Sequence, residues 1–452
     1  MKWIFRLVIL VALFVINHLL CWKVVKKHQN FSQRNDSVLI PASLKYNKLN
    51  PLKWAFLGEN YRREWGTPVS MPVFHINNSH GGFKIERLGG GEQTRSLHLI
   101  NNDGTRWVLR SVDKDVTGAM PAKLKGSFAQ RLVQDQISAA YPYALLTIQP
   151  LSDALGIPCP PAELVFVPDD PALGTNRALF ANTVCFLIPK IIATRRIATY
   201  RTDTVMRLLQ TSNHFRAQQQ KILTVRLMDM LIADWDRHKA QWGWGSLDSE
   251  NIVYIYPVPE DRDQAYFLSD GWLAKVFQCT RMPHLVGFTK EPSNLTKLSY
   301  KVHSFDRFFL NELNRSQWEA GVADFKRQLT DDVIEMAVKK LPPEIFKISG
   351  AEIISKLKSR RDKLSEEVIA YYAFLAKEVS ISSTLDAELI NVLHTSDSTV
   401  VDIIRTQDRQ PIYHRAFYPR ETAKITIDRI YSNDKVYQTG VGGIETGIIR
   451  IK

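Results

Sequence analysis

Leu231-Ile-Ala-Asp-Trp-Asp-Arg-His-Lys-Ala-Gln-Trp242 is the stretch from which the rest of the chain can be read. It ends an apolar, helix-spaced run and then sets carboxylate, imidazole and amide side chains close together. A second stretch, Tyr256-Pro-Val-Pro-Glu-Asp-Arg-Asp-Gln-Ala-Tyr-Phe267, closes a β-type run and brings two more carboxylates, Asp261 and Asp263. Phosphoryl transfer from ATP needs an acid to orient the acceptor hydroxyl, a neutral oxygen ligand just after it, and a carboxylate gripping magnesium. Asp236, Gln241 and Asp261 offer those three groups in that order.

Each role has a chemical reason. An ionised Asp236 accepts or orients the proton of the attacking hydroxyl. Gln241 supplies a neutral oxygen to the metal, and Asp261 is the main metal carboxylate, with Asp263 in reserve or on a second ion. Mg2+ prefers hard oxygen ligands and keeps several waters, which suits a site of few carboxylates; Mn2+ is the alternative ion. Asp234 reads as a brace for the loop. The competing reading of Asp261 and Asp263 is a plain acidic surface turn. His238 has no second histidine at metal spacing, since His214 lies 24 residues away, which argues for a loop-holding imidazole against zinc. Trp235, Trp242 and Trp244 read as core, with stacking on a base or sugar as the alternative.

Upstream, Phe83-Lys-Ile-Glu-Arg-Leu88 alternates, Gly89-Gly-Gly91 interrupts, and Arg95-Ser-Leu-His-Leu-Ile100 alternates again. Asn101-Asn-Asp-Gly104 is a hairpin turn, and Trp107 to Val112 is a third strand. A glycine triplet lets backbone N–H groups approach a phosphate; without a ligand it is only a bulged hairpin. Arg110 and Lys114, on and just beyond the third strand, tip the balance toward nucleotide. The helix-like run from Ser127 to Ala140 offers Asp135 as an ion-pair partner for Arg110 or Lys114, or else as a solvated acid. Pro168-Asp-Asp-Pro171 reads as the hinge to a second, mostly helical lobe. In that lobe Leu223, Leu227, Met230 and Leu231 keep helical spacing, Thr330 starts a helix, and Ser349-x-x-Glu352 reads as a capping box. From about Thr399 the pattern turns β-rich.

The formal charge is +13 over 452 residues, and residues 1–60 hold nine Lys or Arg against two acids. The excess basic charge is concentrated there and the rest is spread along the chain, which argues against nucleic acid as a partner. The apolar run of residues 3–22 is long enough to span a bilayer. No Ala-x-Ala cleavage pattern follows it, so an uncleaved signal anchor is expected. The four cysteines form no Cys-x-x-Cys pair and no disulfide framework.

Asp236-Arg-His-x-x-Gln241 resembles the Asp-Arg-His-x-x-Asn loop of lipid kinases, and the loops of the secreted casein-kinase group and the HipA-type kinases. Pro257 to Phe267 is similar to the Pro-Trp-Asp-Leu-Asp-x-x-Phe-Gly segment of the CotH spore-coat kinases. From about Gly82 to Val379 the chain resembles an uncharacterised bacterial envelope family with a kinase-like region, often followed by a surface-antigen type outer-membrane barrel. Two positions depart from the kinase pattern: Gln241 stands where Asn is usual, and Arg110 where Lys is usual.

The resemblance implies an α+β, two-lobed, atypical protein-kinase-like fold. Its expected order is an N-terminal transmembrane helix (1–22), a basic tether (23–80), an N-lobe (81–170), a helical C-lobe (171–380) and a β-rich tail (381–452). The function implied is ATP/Mg2+-dependent phosphotransfer to an unknown acceptor by a single-pass, membrane-anchored protein with its soluble part on the periplasmic side. The alternatives are a nucleotide-binding pseudokinase or nucleotidyltransferase of the same fold, and a non-catalytic envelope scaffold.

Overall fold

In the amino-terminal part, alternating apolar residues give a five-stranded antiparallel sheet, in the order Phe83–Gly89, Ser96–Asn101, Arg106–Ser111, Thr183–Pro189, Glu163–Val167. This computed structural model describes residues 33–34, 36–47, 51–91, 93–190, 200–280, 282–428, 434–441 and 449–451. Leu97, Leu99, Leu109, Val165, Cys185 and Leu187 line one buried face of the sheet. The hairpin forms where Asn101-Asn-Asp-Gly104 predicts it, with Gly104 at φ +84° and Asn101 N donating to Thr105 O. Gly89 pairs with Ser96, Ser96 with Arg110, and Arg110 with Phe186. The glycine turn therefore lies two strands from Arg110 at the same level of the sheet.

Pro168–Pro171 is no hinge. It begins the link between two adjacent strands, Glu163–Val167 and Thr183–Pro189, so the sheet region runs to Pro189. Much of the expected tether is also folded. Strands Ser37–Pro41 and Pro68–Pro72 pair antiparallel, and Val38, Ile40, Tyr46, Trp65, Val69 and Met71 enter the main core. Two apolar residues alternating in Ser-Val-Leu-Ile-Pro suffice for this, and prolines at strand ends remove no interior ladder bond.

The helical part is built on Gln219–Leu231, Arg315–Gln328, Asp331–Val338 and Ala351–Ala376. Gln219–Leu231 buries nearly every residue from Ile222 onward, charged ones included. Thr330 caps its helix as expected, accepting from Val333 N. The expected capping box at Ser349 is absent because the chain enters Ala351–Ala376 through a π-helical turn, Phe346–Gly350. Ser349 bonds Tyr141 Oη instead, at 3.0 Å.

The β-rich region begins at Glu378, earlier than the pattern suggests. Its two sheets share a core of Ile390, Val392, Val401, Ile403, Ile425 and Ile427. Arg216 holds it to the helical part through the carbonyls of Pro411 and Ile412, both at 2.8 Å.

The membrane expectation is corrected. Among the described residues no helix is long and apolar enough to cross a membrane; the longest, Ala351–Ala376, interleaves Lys, Arg and Glu with its apolar positions. Residues 3–22, which carry the expected span, lie outside the described residues. The transmembrane helix and the single-pass, membrane-anchored location drop out of the reading together.

Candidate active site

Buried arginines fix the course of the Asp236 loop. Arg360, 1% exposed, donates to the carbonyls of Met230 (2.7 Å) and Leu231 (2.6 Å), satisfying the end of the helix Gln219–Leu231. Ala233 then adopts φ +55°, a left-handed turn that costs an alanine roughly 1–2 kcal/mol and persists only where surroundings impose it. Arg237 ties this loop to the next one. It reaches Asp229 at 3.1 Å and donates to the carbonyls of Gln241 (3.1 Å) and Glu260 (2.6 Å). Glu260 N donates back to Gln241 O at 2.9 Å, and Tyr266 N to Ile232 O at 2.8 Å. The loop of Asp236 and the turn of Asp261 are thereby stitched edge to edge.

The acids of both loops act on one carboxyl. Burial pushes Asp234 above its ordinary range; Arg237 opposes this, while Asp229, Asp236 and Asp263 reinforce it. Asp234 accepts from Asp236 N at 3.1 Å, the bracing role its position suggests. His238 Nδ1 accepts from Ala240 N at 3.3 Å, which also holds the loop. Trp242 and Trp244 are core, stacked with Phe305 and Phe309. Gln241 is 8% exposed, and its Oε1 is buried without a hydrogen-bond partner among the described residues.

Across the cleft the sheet supplies the cations. Arg110 donates to Asp261 Oδ2 (2.8 Å) and Asp263 Oδ2 (2.6 Å), and Lys114 Nζ lies 2.9 Å from Asp263 Oδ2. Arg110 also donates to Thr94 Oγ1 at 3.3 Å, which ties it to the end of the glycine loop. Gly90 has φ +119°, and a Cβ there would stand 2.2 Å from Thr94 O, so the hairpin itself demands glycine. A Cβ on Gly91 would meet nothing within 4 Å. Thus Arg110, Lys114, Asp261 and Asp263 meet beside the glycine turn.

Burial alone would raise the Asp263 carboxyl, but Lys114 and then Arg110 outweigh it and bring it to about 2. Its folded value lies below the usual ~3.9 of an unfolded aspartate. The stabilisation is therefore complete above that value and fades as pH falls toward 2. Between pH 6 and pH 3 the stability gap between wild type and Asp263→Asn should narrow by about 1 kcal/mol. Urea unfolding at both pH values measures it, and a constant gap would contradict the ion-pair assignment.

Asp135 is corrected. Its fully buried carboxylate pairs with Arg62 (2.5 Å) and Lys53 (2.6 Å), not with Arg110 or Lys114. Those partners come from the stretch read as tether, and no local spacing announces them. Another residue that sequence reasoning misses is Lys301, ion-paired with Asp236 and 4.5 Å from the centre of the Trp235 ring.

Among the described residues no group of three or more His, Cys, Asp or Glu side chains stands ready for a metal ion. The oxygens that a cation reading has to work with are those of Asp261, Asp263 and Gln241. Between sheet and acidic turn, a recess lined by Trp65, Arg110, Lys114, Tyr141, Phe186 and Asp263 holds about 20 Å³ of space for water centres. That is room for one or two waters.

No family model matches the chain, and no curated protein does. The envelope-family resemblance thus has no counterpart in those comparisons. A kinase is among its structural neighbours. The chain is similar to the crystal structure of the proinflammatory kinase CtkA of Helicobacter pylori, at 11% identity and a TM-score of 0.33, over 61% of this chain and 94% of that one. So remote a likeness leaves the chemistry to the site's own geometry.

Proposed function

We propose that the chain is an ATP-dependent phosphotransferase using Mg2+ or Mn2+, with Asp236 as the base toward a hydroxyl acceptor. The observation that supports this most is the meeting of two stitched acidic loops with Arg110 and Lys114 beside a glycine turn. Transfer forms a bond from the acceptor oxygen to the γ-phosphorus. The β–γ bridging P–O bond breaks with its electrons left on ADP, and the hydroxyl proton goes to Asp236.

By their chemistry these hard oxygen donors suit a cation once Arg110 and Lys114 leave the carboxylates. Asp261 and Asp263 would hold it with Gln241, whose buried, unpartnered Oε1 is the kind of atom that calls for a ligand. When bound, the cation neutralises charge on the phosphates. Arg110 and Lys114 would then turn from the carboxylates to the phosphates, with the glycine turn above them. A nucleotide needs a pocket of roughly 300–1,000 Å³. Seating one therefore requires the bridge from Arg110 to the acidic turn to open.

Binding can be tested by melting. ATP with Mg2+ at a hundred times Kd should stabilise the protein by about 2.7 kcal/mol, a rise in Tm of roughly 3 °C for a chain of this size. Arg110→Ala should abolish most of that rise. No shift with ATP, with or without metal, would sink the nucleotide reading and leave a scaffold. Because the carboxylates are already ion-paired in this structure, a nucleotide-binding lobe without turnover is the second reading. A thermal shift without transfer of labelled phosphate would select it.

A further inference from the structure

Around Asp236 stands a second set of groups, which shares no ion pair with Arg110 or Lys114 among the described residues. Lys301 Nζ is ion-paired with Asp236, its side chain 33% exposed, and lies over the Trp235 ring. Trp235 packs on His284 with ring centres 5.4 Å apart, and His284 stacks on Tyr300 at 6.1 Å and 14°. Tyr300 is 60% exposed, so this is an open shelf and not an enclosed pocket. Trp235 Nε1 and His284 Nδ1 are buried without hydrogen-bond partners among the described residues. Residues 282–303 carry Lys290, Lys297 and Lys301 against one acid, Glu291, and Glu291 is itself paired with Lys363.

We infer that the acceptor is a hydroxyl on an acidic peptide segment, and that Lys301 selects it; this rests on the phosphotransfer reading. The reasoning is competition for one cation. As long as Lys301 grips Asp236, the carboxylate is shared between the ammonium and any incoming hydroxyl. An exposed ion pair is worth only about 0–1 kcal/mol, so a carboxylate arriving beside the hydroxyl can draw the ammonium away. Asp236 is then free to take the proton. A basic neighbour would set like charges together on a rim already short of acid, which is how a site rejects a wrong partner. The open shelf suits an extended chain, where a small molecule would be expected to find an enclosing cavity.

The test uses the full chain, ATP and Mg2+, and two serine peptides identical except for glutamate or lysine on both sides of the serine. Wild type should favour the acidic peptide at least tenfold in kcat/KM. Lys301→Met should erase that preference, by a higher KM for the acidic peptide and a faster turnover of the basic one, without changing ATP affinity, and Lys301→Arg should keep it. Equal use of both peptides, or a preference that survives Lys301→Met, overturns the inference. So does an enzyme that releases phosphate from ATP yet modifies neither peptide, and that result leaves the phosphotransfer reading standing. A wild type that neither binds ATP nor releases phosphate overturns the reading itself, and the inference with it.

Discussion

Asp236→Asn should slow phosphoryl transfer by roughly 10²–10⁴-fold while unfolding within about 1 kcal/mol of wild type. The two halves of this expectation come from different facts. Asparagine matches the carboxylate in shape but cannot take a proton from the acceptor, so the loss falls on the chemical step and ATP affinity stays put. The fold does not lean on this side chain. Its carboxylate is a quarter exposed, and its one ion pair among the described residues is with Lys301, whose side chain is a third exposed. The loop's course is set by the Asp236 backbone N–H on Asp234 and by Arg237 beneath it, neither of which changes. Single-turnover transfer of labelled phosphate, run beside a melting curve, reads both. A variant keeping its rate within threefold would remove Asp236 from the chemistry. Asp234, whose carboxyl burial raises, would then be the group to examine.

What could be read from the sequence was what is written locally. Alternation and an Asn-Asn-Asp-Gly turn are enough for a hairpin, because strand period and turn chemistry act over a few residues. The buried helix before Asp234 shows in its apolar spacing for the same reason. Partnership across the fold leaves no such trace. Asp135 and Arg62 are 73 residues apart, and Asp236 and Lys301 are 65 apart, so nothing in either neighbourhood names the other. Sometimes tertiary packing overrides a local signal. Ser349-x-x-Glu352 has the form of a capping box, yet the preceding turn stays helical and Ser349 spends its hydroxyl on Tyr141. Polar composition also conceals core. The proline-punctuated stretch before Gly82 reads as linker, although Val38, Ile40 and Trp65 are each at most 4% exposed. The convergence of the two acidic loops was suggested by likeness to kinase loops. Its physical cause, one buried arginine bonding to both, is visible only in three dimensions.

Asp229→Asn should cost about 3–5 kcal/mol of stability, the range found when one partner of a buried ion pair is removed. Asp229 is 1% exposed and collects three guanidinium groups: Arg226 at 2.9 Å, Arg237 at 3.1 Å and Arg262 at 3.3 Å. Burial pushes its carboxyl up, but Arg237, Arg262 and Arg226 together hold it below the ordinary carboxylate range. Asparagine fills the same space and removes the charge, so three buried cations are left to share what remains. Arg226 retains Asp306 at 2.9 Å. Arg262 retains only the Ser152 hydroxyl as a side-chain partner among those described, at 3.1 Å. Arg237 retains Asp234, 3.4 Å away, and being drawn closer to it would loosen its bonds to Gln241 O and Glu260 O. Since native stabilities run to about 5–15 kcal/mol, this one substitution removes a large share and separates the two acidic loops as it does so. Urea unfolding measures it, as a fall in midpoint with little change in slope. Lys239→Ala is the matched control, because its pair with Asp203 is largely exposed on both sides and belongs to no buried network. If Asp229→Asn unfolds within about 1 kcal/mol of that control, the arginines do not depend on this carboxylate. The joining of the two loops would then need another cause.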